Sequence, residues 1–421
     1  MLSIQLFRTD KELLLEGLKK KNFKDLHLVD EIIALDEERR KVQAESDTLA
    51  ATINVASKQV GMLMAQGKKE EADLQKATVA ASKDAAKNFI QQLATIETDL
   101  QEKLLKLPNL PHSSVPAGKT PEDNEVVRQS KDTPNLTAQK LPHWELAAKY
   151  ELIDFELGNK ITGSGFPVYI GQGARLQRAL ISYFLDYNIA AGYKEYYPPY
   201  MVNEASAYGT GQLPDKEGQM YHATEDNFYL IPTAEVPVTN IYRDEIIKEL
   251  PVMMTAYSPC FRREAGSYGK DVRGLNRVHQ FDKVEIVQFS HPGKSYEALE
   301  QMVFHIEKLL QSLQLQYRIL RLCGGDMSFT SALTYDFEVY SAAQERWLEV
   351  SSVSNFESFQ TNRMKIRFKD ENGKTQLVHS LNGSSLALPR IVACILENHQ
   401  TPEGVKLPEV LIPYYRDSFI K

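Results

Sequence analysis

The stretch Cys260–Ile286, CFRREAGSYGKDVRGLNRVHQFDKVEI, joins two apolar runs through a polar, glycine-containing segment. Arg262, Arg263 and Glu264 close the first run, and Val278, His279, Gln280, Phe281 and Glu285 open the second. Two strands joined by about a dozen such residues make a hairpin whose loop is longer than a mere connection needs. Residues two apart on a strand share a face, so the spacing predicts Arg262 beside Glu264, and Phe281, Lys283 and Glu285 together on the return strand. A guanidinium pairs bidentately with phosphate or carboxylate. An aromatic ring offers a base a surface to stack on, and a carboxylate accepts from an ammonium group. This inventory suits a nucleotide or an amino acid. On spacing alone, a solvated hairpin with cross-strand ion pairs fits equally well.

Three further segments carry chemistry. In LNGSSLALPR, Asn382-Gly-Ser-Ser reads as a turn and cap, with a helix starting near Leu386. Pro389 is tolerated only in a first turn, so Arg390 sits beside a positive helix N-terminus that suits a phosphate. An Arg on a solvated helix face is the alternative. In WLEVSSVSNF, Glu349 is the lone charge between Trp347 and Phe356. Followed by Ser351 and Ser352, with Val350 between, it could hold Mg²⁺ through oxygen ligands; a lone Glu at a strand edge fits equally well. Strand parity sets Glu349 and Ser352 on opposite faces, so a shared metal requires a bulge or an indirect contact. In TAEVPV, Thr233, Ala234 and Glu235 put a hydroxyl and an acid at a helix start, which is also what a simple N-cap looks like. Taken together, these groups equip a site for in-line attack of a carboxylate on an α-phosphate, a reaction driven by positioning and charge stabilisation.

The elements that must hold these residues can be read from the rest of the chain. It has 421 residues, a length that calls for two or three domains. Its formal net charge is −7, so no overall basic character advertises nucleic acid, and any RNA contact must be local or shape-based. The three cysteines, Cys260, Cys323 and Cys394, form no CxxC pair, which argues against a zinc site of local Cys pairs and against a disulfide scaffold. No zinc is expected, and a cytoplasmic compartment fits. The opening MLSIQLFRTDKELLLEGLKKKN reads as no signal peptide, and no apolar run suits a membrane span.

From Leu28 to Leu107 there is no proline, and apolar residues recur every seven positions: Leu28, Leu35, Val42, Leu49, Ala56 and Leu63, then Ala72, Val79, Ala86, Leu93, Leu100 and Leu107. This predicts two long helices folded back as an antiparallel coiled coil with its tip at Gly67. Residues 1–107 form one domain, with the arm over about 28–107. Pro108, Pro111, Pro116, Pro121 and Pro134 mark 108–141 as an extended linker. From 142 to 421, strands alternate with helices, and few crossovers separate neighbouring strands. The fold class is α+β, an antiparallel sheet flanked by helices.

On these motifs the chain resembles a class II aminoacyl-tRNA synthetase of the bacterial seryl-tRNA synthetase type. FRREAGSYGKDVRGLNRVHQFDKVEI resembles the second class-defining motif and LNGSSLALPR the third. GARLQRALISYFLDY running into YYPPYMV resembles the first, dimer-forming motif. TGQLP, PTAEVPVTN and EVSSVSNFESFQTNR resemble the seryl branch in particular. Ser385 and Pro389 stand where many bacterial members carry glycine, and Asp215-Lys216 where many carry Lys-Phe.

The resemblance implies activation of L-serine with ATP to seryl-adenylate, and transfer of serine to the 3′ end of tRNA(Ser). It leaves tRNA(Sec) open as a further substrate. Arg262, Glu349 and Arg390 would be catalytic. Thr233, Ala234, Glu235, Arg262, Glu285, Asn382 and Ser384 would surround serine. Arg262, Arg263, Glu264, Val278, His279, Gln280, Phe281, Glu349, Val350, Ser351, Ser352 and Arg390 would bind ATP, and Glu349 with Ser352 would hold Mg²⁺. The arm would grip tRNA from the second subunit of a homodimer. Two other readings remain: a non-catalytic synthetase-like interaction protein, and a ligase that loads an amino acid onto a carrier protein. Loss of Arg262, Glu285 or Arg390 would favour the first and loss of the arm the second; all are present.

Overall fold

The computed structural model describes residues 1–131, 140–215, 218–265 and 273–421, so Pro134, Lys216 and the loop positions 266–272 lie outside the described residues. The chain divides into two compact units, one of Leu2–Pro108 and one of Asn109–Lys421 joined by Met1.

In the smaller unit, helix α1 (Leu28–Ala65) and helix α2 (Lys69–Leu104) run antiparallel. Every described member of the two heptad rows is buried or half-buried, while the positions between them are mostly exposed. That is the seam a 3.5-residue repeat dictates. Gly67 takes φ +77° between the helices, a left-handed conformation that suits glycine. At 38 residues, α1 is about 57 Å long at 1.5 Å per residue. At its base, Asp36 is buried and receives Nε and a terminal nitrogen of Arg8 at 2.7 and 2.8 Å. The Arg8 hydrogen bonds hold the Asp36 carboxyl below its ordinary range.

The larger unit is built on an eight-stranded sheet. In chain order its strands are β1 (Glu125–Gln129), β2 (Lys194–Glu195), β3 (Val252–Phe261), β4 (Gln280–Ser290), β5 (Tyr317–Arg321), β6 (Leu333–Ser341), β7 (Arg346–Glu357) and β8 (His379–Ala387). They lie in the order β1-β5-β6-β7-β8-β4-β3-β2. All neighbours are antiparallel except the edge pair β2–β3.

The helices are α3 (His143–Lys149), α4 (Gly171–Ala190), α5 (Glu235–Asn240), α6 (Ser295–Ser312) and α7 (Leu388–Asn398). Leu176, Leu180 and Phe184 of α4, Met302 and Ile306 of α6, and Ile391 and Ile395 of α7 share one core with Val284 and Ile286 of β4. Glu285, between those two valine and isoleucine positions, therefore points to the opposite face.

Two sequence expectations change. Residues 109–131 are no free linker. Asn109 donates its backbone N–H to Phe329 and its side-chain amide to the carbonyls of Thr330 and Phe356. Glu125–Gln129 then pairs with Tyr317–Arg321 as the sheet's edge. Proline density forbade a helix but not a strand between prolines. Asn382-Gly-Ser-Ser is strand rather than turn, and the helix begins at Leu388 with Pro389 in its first turn. The turn-type residues are tolerated because the sheet satisfies their backbone on both sides. The short strand β2 ends before Pro198-Pro199, and a separate strand, Met201–Asn203, follows them.

Candidate active site

The sheet face opposite α4, α6 and α7 carries a buried polar cluster. Glu235, in the first turn of α5, and Glu285, mid-β4, are 6% and 2% exposed. Lys283 Nζ lies 2.9 Å from Glu285, which also accepts from Ser384 Oγ at 3.3 Å. Ser384 faces Glu285 across the β4–β8 pairing, and Asn382 faces Val287. Glu235 accepts from Gln360 at 2.6 Å and from Asn382, and burial followed by the nearby Glu285 charge raises its pKa to about 7. Thr233 Oγ1 accepts the Glu235 backbone N–H at 3.3 Å, but the N-cap of α5 is Ala234 and no side chain caps the helix, so Thr233 is not a simple N-cap. Thr233 and Ala234 are buried beside the acid pair rather than on a solvated helix end.

A second group sits where the β3–β4 hairpin leaves the sheet. β3 ends at Phe261, so Arg262 and Glu264 are not strand residues and parity does not align them. Glu264 instead takes φ +48° and accepts from Arg277 at 2.8 Å. Arg262 donates its backbone N–H to His279 at 2.9 Å, and its guanidinium lies 5.3 Å from the Phe281 ring centroid. Its Nε donates to the Pro232 carbonyl at 3.4 Å, next to Thr233. His279 stacks on Phe166 at 5.4 Å and meets Tyr221 Oη at 3.0 Å. Val278 is buried, whereas Arg263 and Gln280 are exposed. Asp215 accepts the Gln219 and Met220 backbone N–H groups at 3.0 and 2.9 Å, a local structural role.

A third group spans β6 and β7. Phe337 pairs with Ser351 and Glu338 with Glu349, leaving Val350 as an extra residue. This bulge resolves the parity conflict seen in the sequence. Asp336 faces Ser352 and Glu338 faces Glu349, so all four share one face. Ser351 points away, donating to the Ser384 carbonyl at 2.6 Å. Asp336 was not singled out from the sequence; it is a weaker signal than Glu349, because Glu338 shares its strand. Burial and the Glu349 charge raise its pKa well above the carboxylate range, against a hydrogen bond from Ser352. Its Oδ1 is buried without a partner among the described residues.

An all-oxygen set of Asp336, Glu349 and Ser352 fits Mg²⁺, which takes one or two carboxylates and completes its shell from phosphate and water. No group of three or more His, Cys, Asp or Glu suited to a metal occurs among the described residues. Arg390, in the first turn of α7, donates to the carbonyls of Asn276 at 2.9 Å and Glu349 at 2.7 Å, and lies 3.8 Å from the Glu349 carboxylate. It therefore links the second and third groups. Gln360 was also missed; it has no local pattern, since it acts only through a tertiary contact.

An antiparallel sheet flanked by helices, with an arginine at the foot of a hairpin, a second at a helix start and a buried acid pair between, defines a class II aminoacyl-tRNA synthetase core. Residues 219–399 match the family model of the tRNA synthetase class II core domain (G, H, P, S and T), and residues 1–111 match the seryl-tRNA synthetase N-terminal domain. The serine–tRNA ligase of Salinibacter ruber is 50% identical over 418 residues, 98% of each chain. That of Neisseria meningitidis serogroup C is 47% identical over 424 residues, again 98% of each. Among solved structures, the seryl-tRNA synthetase of Pyrococcus horikoshii complexed with ATP superposes with a TM-score of 0.92 at 33% identity, covering 100% of this chain and 99% of that one. The cytoplasmic enzyme of Naegleria fowleri in complex with AMP gives 0.87 at 28% identity, with the same coverage. The chain belongs to the seryl-tRNA synthetase family, and its activity is the ligation of serine to tRNA.

Proposed function

We propose that the buried acid pair Glu235 and Glu285 is the serine pocket, and that ATP lies along the arginines leading away from it. The observation that carries this reading is the charge balance. Burial and the Glu285 charge raise the Glu235 carboxyl there, and Lys283 is the cation paired with Glu285. The pocket is short of positive charge, and an amino acid's ammonium group supplies it. Thr233, Asn382 and Ser384 add small polar groups suited to a hydroxyl, with Ala234 closing the wall. Arg262 pairs with the serine carboxylate and the α-phosphate, Glu264 reads the adenine amino group, and Phe281 stacks on the base. Val278, His279 and Gln280 line the same pocket with Arg263. Arg390 holds the γ-phosphate.

In the first step the serine carboxylate oxygen attacks the α-phosphorus, the bond to the bridging oxygen breaks, and pyrophosphate leaves with that electron pair. Arg262 stabilises the charge that grows on the phosphoryl oxygens. In the second step a hydroxyl of the terminal tRNA ribose attacks the activated carbonyl, and AMP departs. Mg²⁺ held by Glu349 and Ser352, with Val350 and Ser351 setting their bulge, would neutralise phosphate charge. The finer partners are tRNA(Ser), with tRNA(Sec) as a second acceptor to be tested, and a second copy of the chain. The exposed Ile189, Tyr197 and Met201 next to α4 support a homodimer through that face. Among the described residues no helix is long and apolar enough to cross a membrane, in keeping with a cytoplasmic enzyme.

The test is amino-acid-dependent ATP–pyrophosphate exchange with serine, threonine, alanine and cysteine, on the native chain and on Arg262→Ala. Serine should lead alanine by about 10⁴-fold or more, because an unpaired buried polar pocket rejects the analogue lacking the hydroxyl. Arg262→Ala should abolish exchange. Near-normal exchange in that variant overturns its assigned role, and no exchange with any amino acid leaves an interaction protein as the better reading.

A further inference from the structure

We infer that the fully buried His143–Glu397 pair is a positioning device that clamps the return limb of the β3–β4 hairpin and thereby sets Arg390 for ATP. Both side chains are 0% exposed, and the proposed reaction uses neither. One Glu397 oxygen accepts three donors: the His143 backbone N–H at 2.9 Å, His143 Nδ1 at 2.7 Å and Gln344 Nε2 at 3.0 Å. The other accepts from Ser341 Oγ. Nδ1 is thereby the donor, which leaves Nε2 as an acceptor, and it receives the Leu275 backbone N–H at 2.8 Å.

Residues 273–276 of the limb are gripped in turn. The Arg273 guanidinium lies over the Trp144 ring at 4.4 Å. Gly274, at φ +64°, passes so close to His143 that a Cβ would meet Nε2 at 2.3 Å. Gln344 binds Glu397 and also the Asn276 side chain at 2.9 Å. The Asn276 carbonyl then receives Arg390 Nε at 2.9 Å. Glu397 and Arg390 lie on one helix, α7, so the limb is held at both ends of a closed circuit through His143, Leu275 and Asn276. A buried carboxylate satisfied by four donors has one geometry, and it passes that geometry to the guanidinium. The kinetic consequence rests on the reading of Arg390 as an ATP contact; the clamp itself does not.

His143→Asn keeps a donor for Glu397 and removes the acceptor for Leu275, whereas His143→Gln keeps an acceptor at the Nε2 position. In pyrophosphate exchange, His143→Asn should raise KM for ATP or lower kcat/KM for ATP by roughly 10- to 100-fold, the scale of a misplaced catalytic group. KM for serine should stay within about 2-fold, and His143→Gln should recover part of the loss. In an Arg390→Ala background His143→Asn should add nothing. The Leu275 amide should exchange faster with solvent in His143→Asn at an unchanged melting temperature. Equal losses for ATP and serine with a lowered melting temperature, or effects that multiply in the double variant, overturn the proposal. If Arg390→Ala alone leaves KM for ATP unchanged, the site reading fails instead, and Leu275 exchange still decides the clamp: protection unaltered in His143→Asn overturns it.

Discussion

Glu235 is the residue whose chemistry is most open to measurement. Burial and the Glu285 charge raise its carboxyl from an ordinary 4.5 to about 7, with Gln360, Lys283 and Asn382 pulling the other way. The folded chain therefore binds this proton more tightly than the unfolded chain. Its contribution to stability is complete below pH 4.5 and is lost as pH rises through about 7. Serine carries an ammonium group and favours the ionised form, so KM for serine should fall several-fold between pH 6 and 8. Glu235→Gln should flatten that profile and remove the corresponding slope in the melting temperature of the ligand-free protein. A KM that rises with pH, or a profile that Glu235→Gln leaves unchanged, rules out the acid as the ammonium partner.

At this scale the sequence was legible for groups that stand out against their surroundings. Glu349 is a lone charge in an apolar strand, and Arg390 follows a proline that fixes a helix start. Asp336 gave a weaker signal, because Glu338 shares its strand. Gln360, His143 and Glu397 act through partners distant in sequence, and no local pattern announces such a contact, whereas the Arg277–Glu264 pair is the ion pair across the hairpin that the spacing allowed.

At the scale of elements, the arm and the central strands follow from period alone. The heptad rows became the seam, and the alternation in β4 sent Val284 and Ile286 to the core and Glu285 to the site. What period could not supply was irregularity. The extra residue at Val350 and the left-handed Leu386 in the β4–β8 bulge, at φ +71°, re-aim side chains against parity. A bulge adds one residue without changing composition. Gly67 and Gly61 give a paired test within the arm. Gly67 holds a left-handed turn, so Gly67→Ala should cost about 1 kcal/mol locally. Gly61 lies inside α1, and a Cβ there meets nothing within 4 Å, so Gly61→Ala should stabilise the arm by about 1 kcal/mol. Amide exchange near the tip should speed up in the first and slow down in the second; the opposite order would mean the tip has another conformation.

For the whole molecule, two units imply two separable tasks. Replacing Val29–Leu104 with a short bridge should leave serine-dependent pyrophosphate exchange within about 3-fold while reducing tRNA charging by roughly 100-fold or more, because contacts spread along a duplex contribute jointly to affinity. Charging that survives unchanged would remove the arm from tRNA recognition. The division was legible because the first 107 residues contain no proline and the first one stands at 108. The length of the connector was not, since prolines are as compatible with an edge strand as with a tether.

That last difference has a mechanical meaning. A chain leaving the arm at Pro108 meets Asn109, 4% exposed and fastened to the carbonyls of Thr330 and Phe356. Tension from a bound molecule pulling on the arm is thus taken up one residue beyond it, at a cleat on the sheet. Past that point the chain is further secured by the edge strand, whose hydrogen bonds with Tyr317–Arg321 resist sliding together rather than peeling one by one.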